Sequence, residues 1–219
     1  MSRKVVLIGA GGHAKVVIDL LKSNNNIKII GMIDKNKNRL GEKILDIPII
    51  ASDKELIQTK KKVNNTLIAV GGTGDNRLRV KLYNKVKELG YNFINAIHPN
   101  SIIGEEVDLG NANTIMAGVI LNSGVKLGTN NIINTGAILE HDVEIGNHVH
   151  IAPGVKLSGG VKISDYSHLG TGVTVIQGIN IGGNSLIGAG SVIIDDVPDN
   201  SLVVGNPGRI IKKRRGIND

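Results

Sequence analysis

The chemistry this sequence offers begins with a histidine between two acids. Glu140, His141 and Asp142 are consecutive. A carboxylate hydrogen-bonded to an imidazole fixes its tautomer and strengthens it as a general base. A second candidate lies near the start, where Gly9-Ala10-Gly11-Gly12-His13-Ala14 fits the pattern G-x-G-x-x-A. Before it runs the β-branched stretch Val5–Ile8, and after it Val16, Val17, Leu20 and Leu21 recur at helical spacing. Strand, glycine turn and helix in that order bring a phosphate to the backbone N–H groups of a helix N-terminus. The next predicted strand, Ile27–Ile33, ends at Asp34, where an acidic residue holds a nucleotide's hydroxyls. A third set is His150, His168, Thr171 and Ala189, whose meaning depends on how the chain is wound.

The winding follows from a period. From Ile103 to Ile193 every sixth residue is aliphatic: Ile103, Leu109, Ile115, Leu121, Leu127, Ile133 and so on without a slip. Small or β-branched residues such as Val119, Val125, Ala137, Val143 and Val155 sit two positions earlier. A period of six is neither helical nor simple strand alternation, and it predicts a parallel β-helix. Each hexapeptide forms one flat face and each coil takes about 18 residues, giving roughly five coils that rise about 4.8 Å apiece. Residues 18 apart then stack. His141 falls beneath Gly159, with Gly160 beside it, which opens a notch over the imidazole. His150 falls beneath His168, and Thr171 beneath Ala189, leaving a groove of small side chains where an extended ligand could lie.

The N-terminal part reads as an α/β unit with a parallel sheet. Its later elements are a strand over Thr66–Val70 ending in Gly71-Gly72-Thr73-Gly74, a helix over Arg77–Leu89 with Leu78, Leu82, Val86 and Leu89 on one face, and a strand over Asn92–Ile97. Residues 1–97 form this unit, and residues 98–219 form the β-helix with its C-terminal tail. The unit has room for one mononucleotide-binding half, which argues against a complete nicotinamide dehydrogenase. The tail is basic at Arg209, Lys212, Lys213, Arg214 and Arg215, and its residues after Lys212 read as solvated or frayed.

Composition narrows the classes. The 219 residues hold 2% aromatics and no Trp, which a prism core of Ile, Leu and Val does not need. No cysteine is present, so disulfides and thiol catalysis are excluded, and a reducing, cytoplasmic setting fits. No signal segment and no stretch of roughly 20 apolar residues is visible, so no membrane association is expected. The net charge of +7 suits phosphate-bearing small molecules better than nucleic acid, for which stacking platforms and an Arg-rich helix are missing. The histidines also raise a metal site as a competing use. Zinc needs three or four converging ligands. His148 and His150 are close, but His141 lies elsewhere on the coil and no H-E-x-x-H is present, so no metal is expected.

Taken together, the Gly9–His13 opening, Asp34, the hexapeptide prism, Glu140-His141-Asp142, His150 and the Gly205-Asn206-Pro207 ending resemble the hexapeptide-repeat sugar acetyltransferases. Most similar are the N-acetyltransferases for UDP-4-amino sugars of bacillosamine biosynthesis and relatives assigned to sialic acid O-acetylation. The resemblance implies a left-handed prism, a homotrimer with sites between neighbouring prisms, and acetyl-CoA as donor. It implies His141 as general base and Asp142 as the acid that raises its basicity. It matches His150, Thr171 and Ala189 to acetyl-CoA contacts, and Gly11, Gly12, His13, Asp34 and Gly71 to nucleotide-sugar contacts. The implied reaction is direct N-acetylation of a nucleotide-linked amino sugar. Acetylation of a sugar hydroxyl, a metal-dependent prism enzyme and a non-catalytic scaffold are the other readings.

Overall fold

The computed structural model describes residues 2–216; residue 1 and residues 217–219, the outermost parts of the two expected units, lie outside the described residues. The chain begins with β1 (Arg3–Ile8), α1 (Gly12–Lys22), β2 (Ile27–Asp34), β3 (Lys43–Ile44), β4 (Ile47–Ser52), α2 (Leu56–Lys62), β5 (Asn65–Ile68), α3 (Arg77–Glu88) and β6 (Asn92–Phe93). These strands form one sheet in the order β3-β4-β2-β1-β5-β6, parallel except for β3 at the edge. Val5, Val6, Leu7 and Ile8 are all buried, the continuous apolar run of a central parallel strand covered on both faces. The chain leaves β1 on one side for β2 and β4 and comes back on the other for β5. The C-terminal ends of β1 and β5 therefore flank the crevice where strand order reverses, the place where open α/β sheets take their ligands.

Three local readings change. α1 buries Ala14, Val17, Ile18, Leu20 and Leu21 but leaves Val16 exposed. α3 buries Arg79, Tyr83 and Val86 and exposes Leu78, because it packs against a corner of the prism as well as against its own sheet. The single strand expected over residues 92–97 is two. Asn92–Phe93 pairs with β5, while Ala96–Ile97 pairs with Thr114–Ile115 as the first rung of the prism.

From there two-residue rungs recur every six residues, each pairing in parallel with the rung 18 residues on: Thr114 with Ile132, Ile120 with Ile138, Lys126 with Glu144. The result is the left-handed parallel β-helix the period predicts, with three sheets around one axis. The sixth-position aliphatics from Ile115 to Ile193 are buried along that axis. Ile103 is exposed and Leu109 half-buried, because they belong to the first coil, at the open end of the stack. Buried amides tie successive coils together. Asn131 accepts from the backbone of Val149 and donates to the carbonyl of Gly146, while Asn113 accepts from the backbone of Asn131.

Each corner turns on one left-handed residue, so positive φ also recurs every six positions from Glu106 to Gly190. The corner after the first face is glycine in every coil: Gly118, Gly136, Gly154, Gly172 and Gly190. The corner after the third face has none: Ala112, Asn130, His148, Tyr166 and Asn184. A left-handed side-chain residue is strained by about 1–2 kcal/mol. Here the strain is offset by contact, since this column is where α3 docks. Tyr83 meets His148 edge-on at 5.2 Å, His148 stacks on Tyr166 at 5.2 Å, and Asn76 Nδ2 donates to the His148 carbonyl at 2.9 Å. Side chains of α1 and the first prism rungs join one apolar cluster. The N-terminal unit thus covers the first face of the prism and its leading corner.

Candidate active site

His141 sits at the corner between the second and third faces, directly after the rung Ile138–Leu139. Its Nδ1 lies 2.9 Å from Asp142 Oδ2. A carboxylate can only accept, so Nδ1 carries the proton and Nε2 presents its lone pair. Asp142 holds φ +58°, a conformation Asp tolerates better than most residues. In that column only it and Glu106 depart from glycine, the others being Gly124, Gly160 and Gly178. Strain kept at one corner while its neighbours avoid it marks a residue retained for its side chain. Above the pair, Gly159 lies against the imidazole so closely that a β-carbon there would meet Cε1 at 2.5 Å. Around Gly160 and Gly178 an added β-carbon would meet nothing within 4 Å. The notch expected over His141 is therefore present, and the imidazole is accessible, with 59% of its side chain exposed. Glu140 does not share in the pair. Its Oε2 accepts from Asn122 Nδ2 at 2.8 Å, one coil below.

The second group gathers at the crevice between β1 and β5. α1 starts at Gly12 with Gly11 as its cap, no side chain capping it, and open space around both glycines. Its first N–H groups point where a phosphate would sit. Gly71 packs on His13, whose side chain an added β-carbon at Gly71 would meet at 3.3 Å. Asp34 stands at the tip of β2 and is joined to the glycine turn by Arg39, which donates to the Ala10 carbonyl at 2.9 Å and to Asp34 Oδ2 at 3.3 Å. Arg39 also donates to Glu42 at 2.8 Å, and these acidic partners raise its affinity for the proton. Gly11, Gly12, His13, Asp34 and Gly71 thus come to one place, with Arg39 as a member that nothing in the sequence pattern singled out.

His150 joins this group rather than His141. It lies on the first face, stacked beneath His168 with ring centroids 4.6 Å apart, and its Nδ1 donates to the carbonyl of Gly72. Asn134 Nδ2 approaches its Nε2 at 3.4 Å. Burial pushes His13 down to about 3 and His150 and His168 down to about 4, with the buried guanidinium of Arg79 adding to the first two. All three are neutral at physiological pH, fit to donate and accept hydrogen bonds rather than to carry charge. Thr171 and Ala189 are exposed at the all-glycine corner that follows the first face, one coil apart, as the stacking arithmetic requires.

The candidate residues therefore fall into two groups in one chain. His141 and Asp142 occupy one corner. His13, Gly71 and His150 gather at the first face and the crevice over it, and Thr171 and Ala189 stand exposed at the corner that follows that face. The tail reading changes too. Arg214 is docked, donating to the carbonyls of Asn184 at 2.8 Å and Gly74 at 2.7 Å. Among the described residues no group of three His, Asp or Glu side chains is placed to hold a metal ion. No helix among them is long and apolar enough to cross a membrane.

The PglD N-terminal domain family matches residues 4–86, and the bacterial transferase hexapeptide family, with six repeats, matches residues 124–159. Over 116 residues the chain is 34% identical to UDP-N-acetylbacillosamine N-acetyltransferase from Bacillus subtilis, and it spans about half (52%) of the length of that curated relative. Among solved structures it is similar to the H141N variant of perosamine N-acetyltransferase from Caulobacter crescentus, in complex with CoA and GDP-perosamine. There the identity is 36% and the TM-score 0.89, with 96% of this chain and 97% of that one covered. It is also similar to the acetyltransferase domain of PglB from Neisseria gonorrhoeae in complex with acetyl coenzyme A, at 32% identity and TM-score 0.89, covering 96% of this chain and 100% of that one. With likeness running the length of both chains and a corner histidine paired to its neighbouring acid, this chain belongs to the hexapeptide-repeat sugar acetyltransferase family.

Proposed function

We propose that this chain is an N-acetyltransferase that moves an acetyl group from acetyl-CoA to the amine of a nucleotide-linked amino sugar, of the 4-amino-4,6-dideoxy type. The observation that carries it is the His141–Asp142 pair at 2.9 Å beneath the Gly159 notch. His141 Nε2 takes a proton from the amine as its nitrogen attacks the thioester carbonyl. The C–N bond forms, the tetrahedral intermediate collapses with cleavage of the C–S bond, and the proton passes to the departing CoA sulfur. No covalent enzyme intermediate is required. Asp142 stabilises the imidazolium that forms and holds the ring.

In this reading the N-terminal unit, up to the strand Asn92–Phe93, anchors the nucleotide diphosphate on Gly11, Gly12 and His13, with Asp34 and Gly71 beside it. The prism, from the rung Ala96–Ile97 on, binds the donor along His150, Thr171 and Ala189. The two half-sites are completed by a second copy of the chain, and three copies close the ring as a homotrimer. Support comes from the outward columns of the faces. The first lies under the N-terminal unit. The third is Asp108, Lys126, Glu144, Lys162 and Asn180, a solvated surface with Lys162 3.4 Å from Glu144. The second carries Ile102, exposed, and Ile120, Ile138 and Val192, half-buried, interrupted by Lys156 and Thr174, with Ile176 and Ile194 exposed nearby. A heterologous contact through that face around a three-fold axis buries it and brings His141 of one copy towards a neighbour. A cytoplasmic setting, where nucleotide sugars and acetyl-CoA are both found, suits the reaction.

The experiment offers acetyl-CoA with a panel of UDP- and GDP-linked amino sugars and follows thiol release. Release with an amino sugar, and none with free sialic acid, is expected. Release with the hydroxyl acceptor alone would replace the reading by O-acetylation.

A further inference from the structure

We infer that the segment Gly71–Gly74 is a clamped strap, and that Arg79 and Arg214 are positioning residues which act on the transfer site through it. The inference rests on the reading given under Proposed function, in which Gly71 and His150 face the substrates.

Arg79 is an unusual residue for its place. It is 2% exposed, and among the described residues no carboxylate pairs with it. Its Nη1 donates to the carbonyls of Ile68 and Val70, both at 2.8 Å, and its Nε to that of Asn130 at 3.3 Å, while Nη2 has no partner among the described residues. An uncompensated buried cation is a poor way to fill a core. What the rigid guanidinium does supply is geometry, since Nη1 holds the carbonyls of Ile68 and Val70 where the backbone leaves β5 while Nε reaches the Asn130 carbonyl of the prism.

Two residues further on, the Gly72 carbonyl accepts from His150, and Gly71 lies against His13. At the far end Arg214 donates to the Gly74 carbonyl, and the Gly74 N–H approaches His168 Nδ1 at 3.4 Å. Arg214 is itself held, through its backbone N–H to the Asn200 carbonyl at 2.6 Å and its Nη1 to Asn184. The strap is Gly-Gly-Thr-Gly, a sequence with little stiffness of its own. Its conformation comes from two arginines 135 residues apart in the chain, one on α3 and one in the tail.

The consequence is chemical. A carbonyl oxygen can only accept, so the clamped Gly72 compels His150 to keep its proton on Nδ1. The Nε2 lone pair is left facing away from the strap. The charge of Arg79 near His13 and His150 supports the neutral state of both rings. Loosening either clamp frees Gly72 to move and lets His150 exchange tautomers.

The test reads imidazole nitrogens in the full chain by long-range proton–nitrogen NMR with 15N-labelled histidine. The wild-type protein should show His150 as the Nδ1–H tautomer; an Nε2–H signal overturns the inference. Arg214→Ala, at the edge of the fold, and Arg79→Lys, which keeps the charge but not the guanidinium, should each mix the His150 tautomers. A misplacement of this kind lowers kcat/KM for the nucleotide sugar roughly tenfold to a hundredfold, with an unchanged melting curve in Arg214→Ala and a lowered one in Arg79→Lys, whose bonds are buried. A variant that keeps the wild-type His150 signal and kinetics overturns the inference. A wild-type chain that releases no thiol, with the His150 signal still moved by Arg214→Ala, overturns the functional reading and upholds the strap.

Discussion

Gly159 lies directly over the imidazole of His141, close enough that a β-carbon at position 159 would meet Cε1 at 2.5 Å and Nε2 closer still. The two are 18 residues apart, one coil of the prism, and the Gly160 N–H donates to the His141 carbonyl at 2.9 Å. Gly159 has no positive φ to excuse its lack of a side chain. Only the close approach explains it. Gly159→Ala should leave the coil intact and displace the ring. A displacement near 1 Å is worth roughly a hundredfold in turnover. Steady-state kinetics beside an unchanged melting curve checks this, and wild-type turnover would mean the notch is incidental.

Asp142→Asn keeps the shape of the side chain and its tolerance of a left-handed corner while removing the charge that faces Nδ1. Hydrogen bonds to charged groups are worth about 1.5–3 kcal/mol. The expected loss in kcat is therefore about tenfold to a hundredfold, with KM for the nucleotide sugar unchanged. A raised KM with intact kcat would instead place Asp142 in substrate binding.

Four histidines make the fold sensitive to acid. Burial is the first cause in each: His13 is lowered from an ordinary 6.5 to about 3, and His148, His150 and His168 to about 4. A lowered folded value means that the unfolded chain takes up protons the folded one refuses. The stability of these sites is full above pH 6.5 and falls as pH drops from there towards about 4, with His13 extending the fall towards about 3. Each site contributes a slope of about 1.4 kcal/mol per pH unit in that window. Denaturant midpoints measured between pH 7.5 and 5 should drop steeply. The same measurement on a His168→Asn variant should show a shallower fall, and identical slopes would contradict the assignment.

The outward Ile138 of the second face is half-buried in one chain and, in the trimer reading, fully buried between copies. Ile138→Glu should yield monomers by light scattering and abolish transfer together with assembly. A trimer of wild-type activity would show that another surface holds the copies together.

The prism was legible because its signal is redundant. Fourteen aliphatics from Ile115 to Ile193 repeat one period, and no single substitution hides it. The stacking of His141 under Gly159 and of His150 under His168 followed from the same arithmetic. Residues 40–63 carried no such repetition, and their α2, β3 and β4 emerged only in the structure, α2 following a Ser52–Glu55 capping box. The side chains that join the two units were the least legible. Arg39 reads as an ordinary surface cation until β2 folds beside the glycine turn, and Leu78 looked apolar and inward where Arg79 is the buried neighbour. Arg214 belonged to a basic tail that reads as solvated, and only the approach of Gly74, 140 residues away in the chain, gives it a place. Periodicity reports what repeats, whereas these contacts occur once.

The central claim is that the imidazole at position 141 takes the proton of the attacking amine. Its most direct test is His141→Ala, assayed for acetyl transfer to the nucleotide-linked amino sugar that the wild-type chain accepts. Turnover should fall by roughly 10²–10⁴-fold, with assembly, melting curve and nucleotide-sugar binding unchanged. Turnover near the wild-type value would contradict the account.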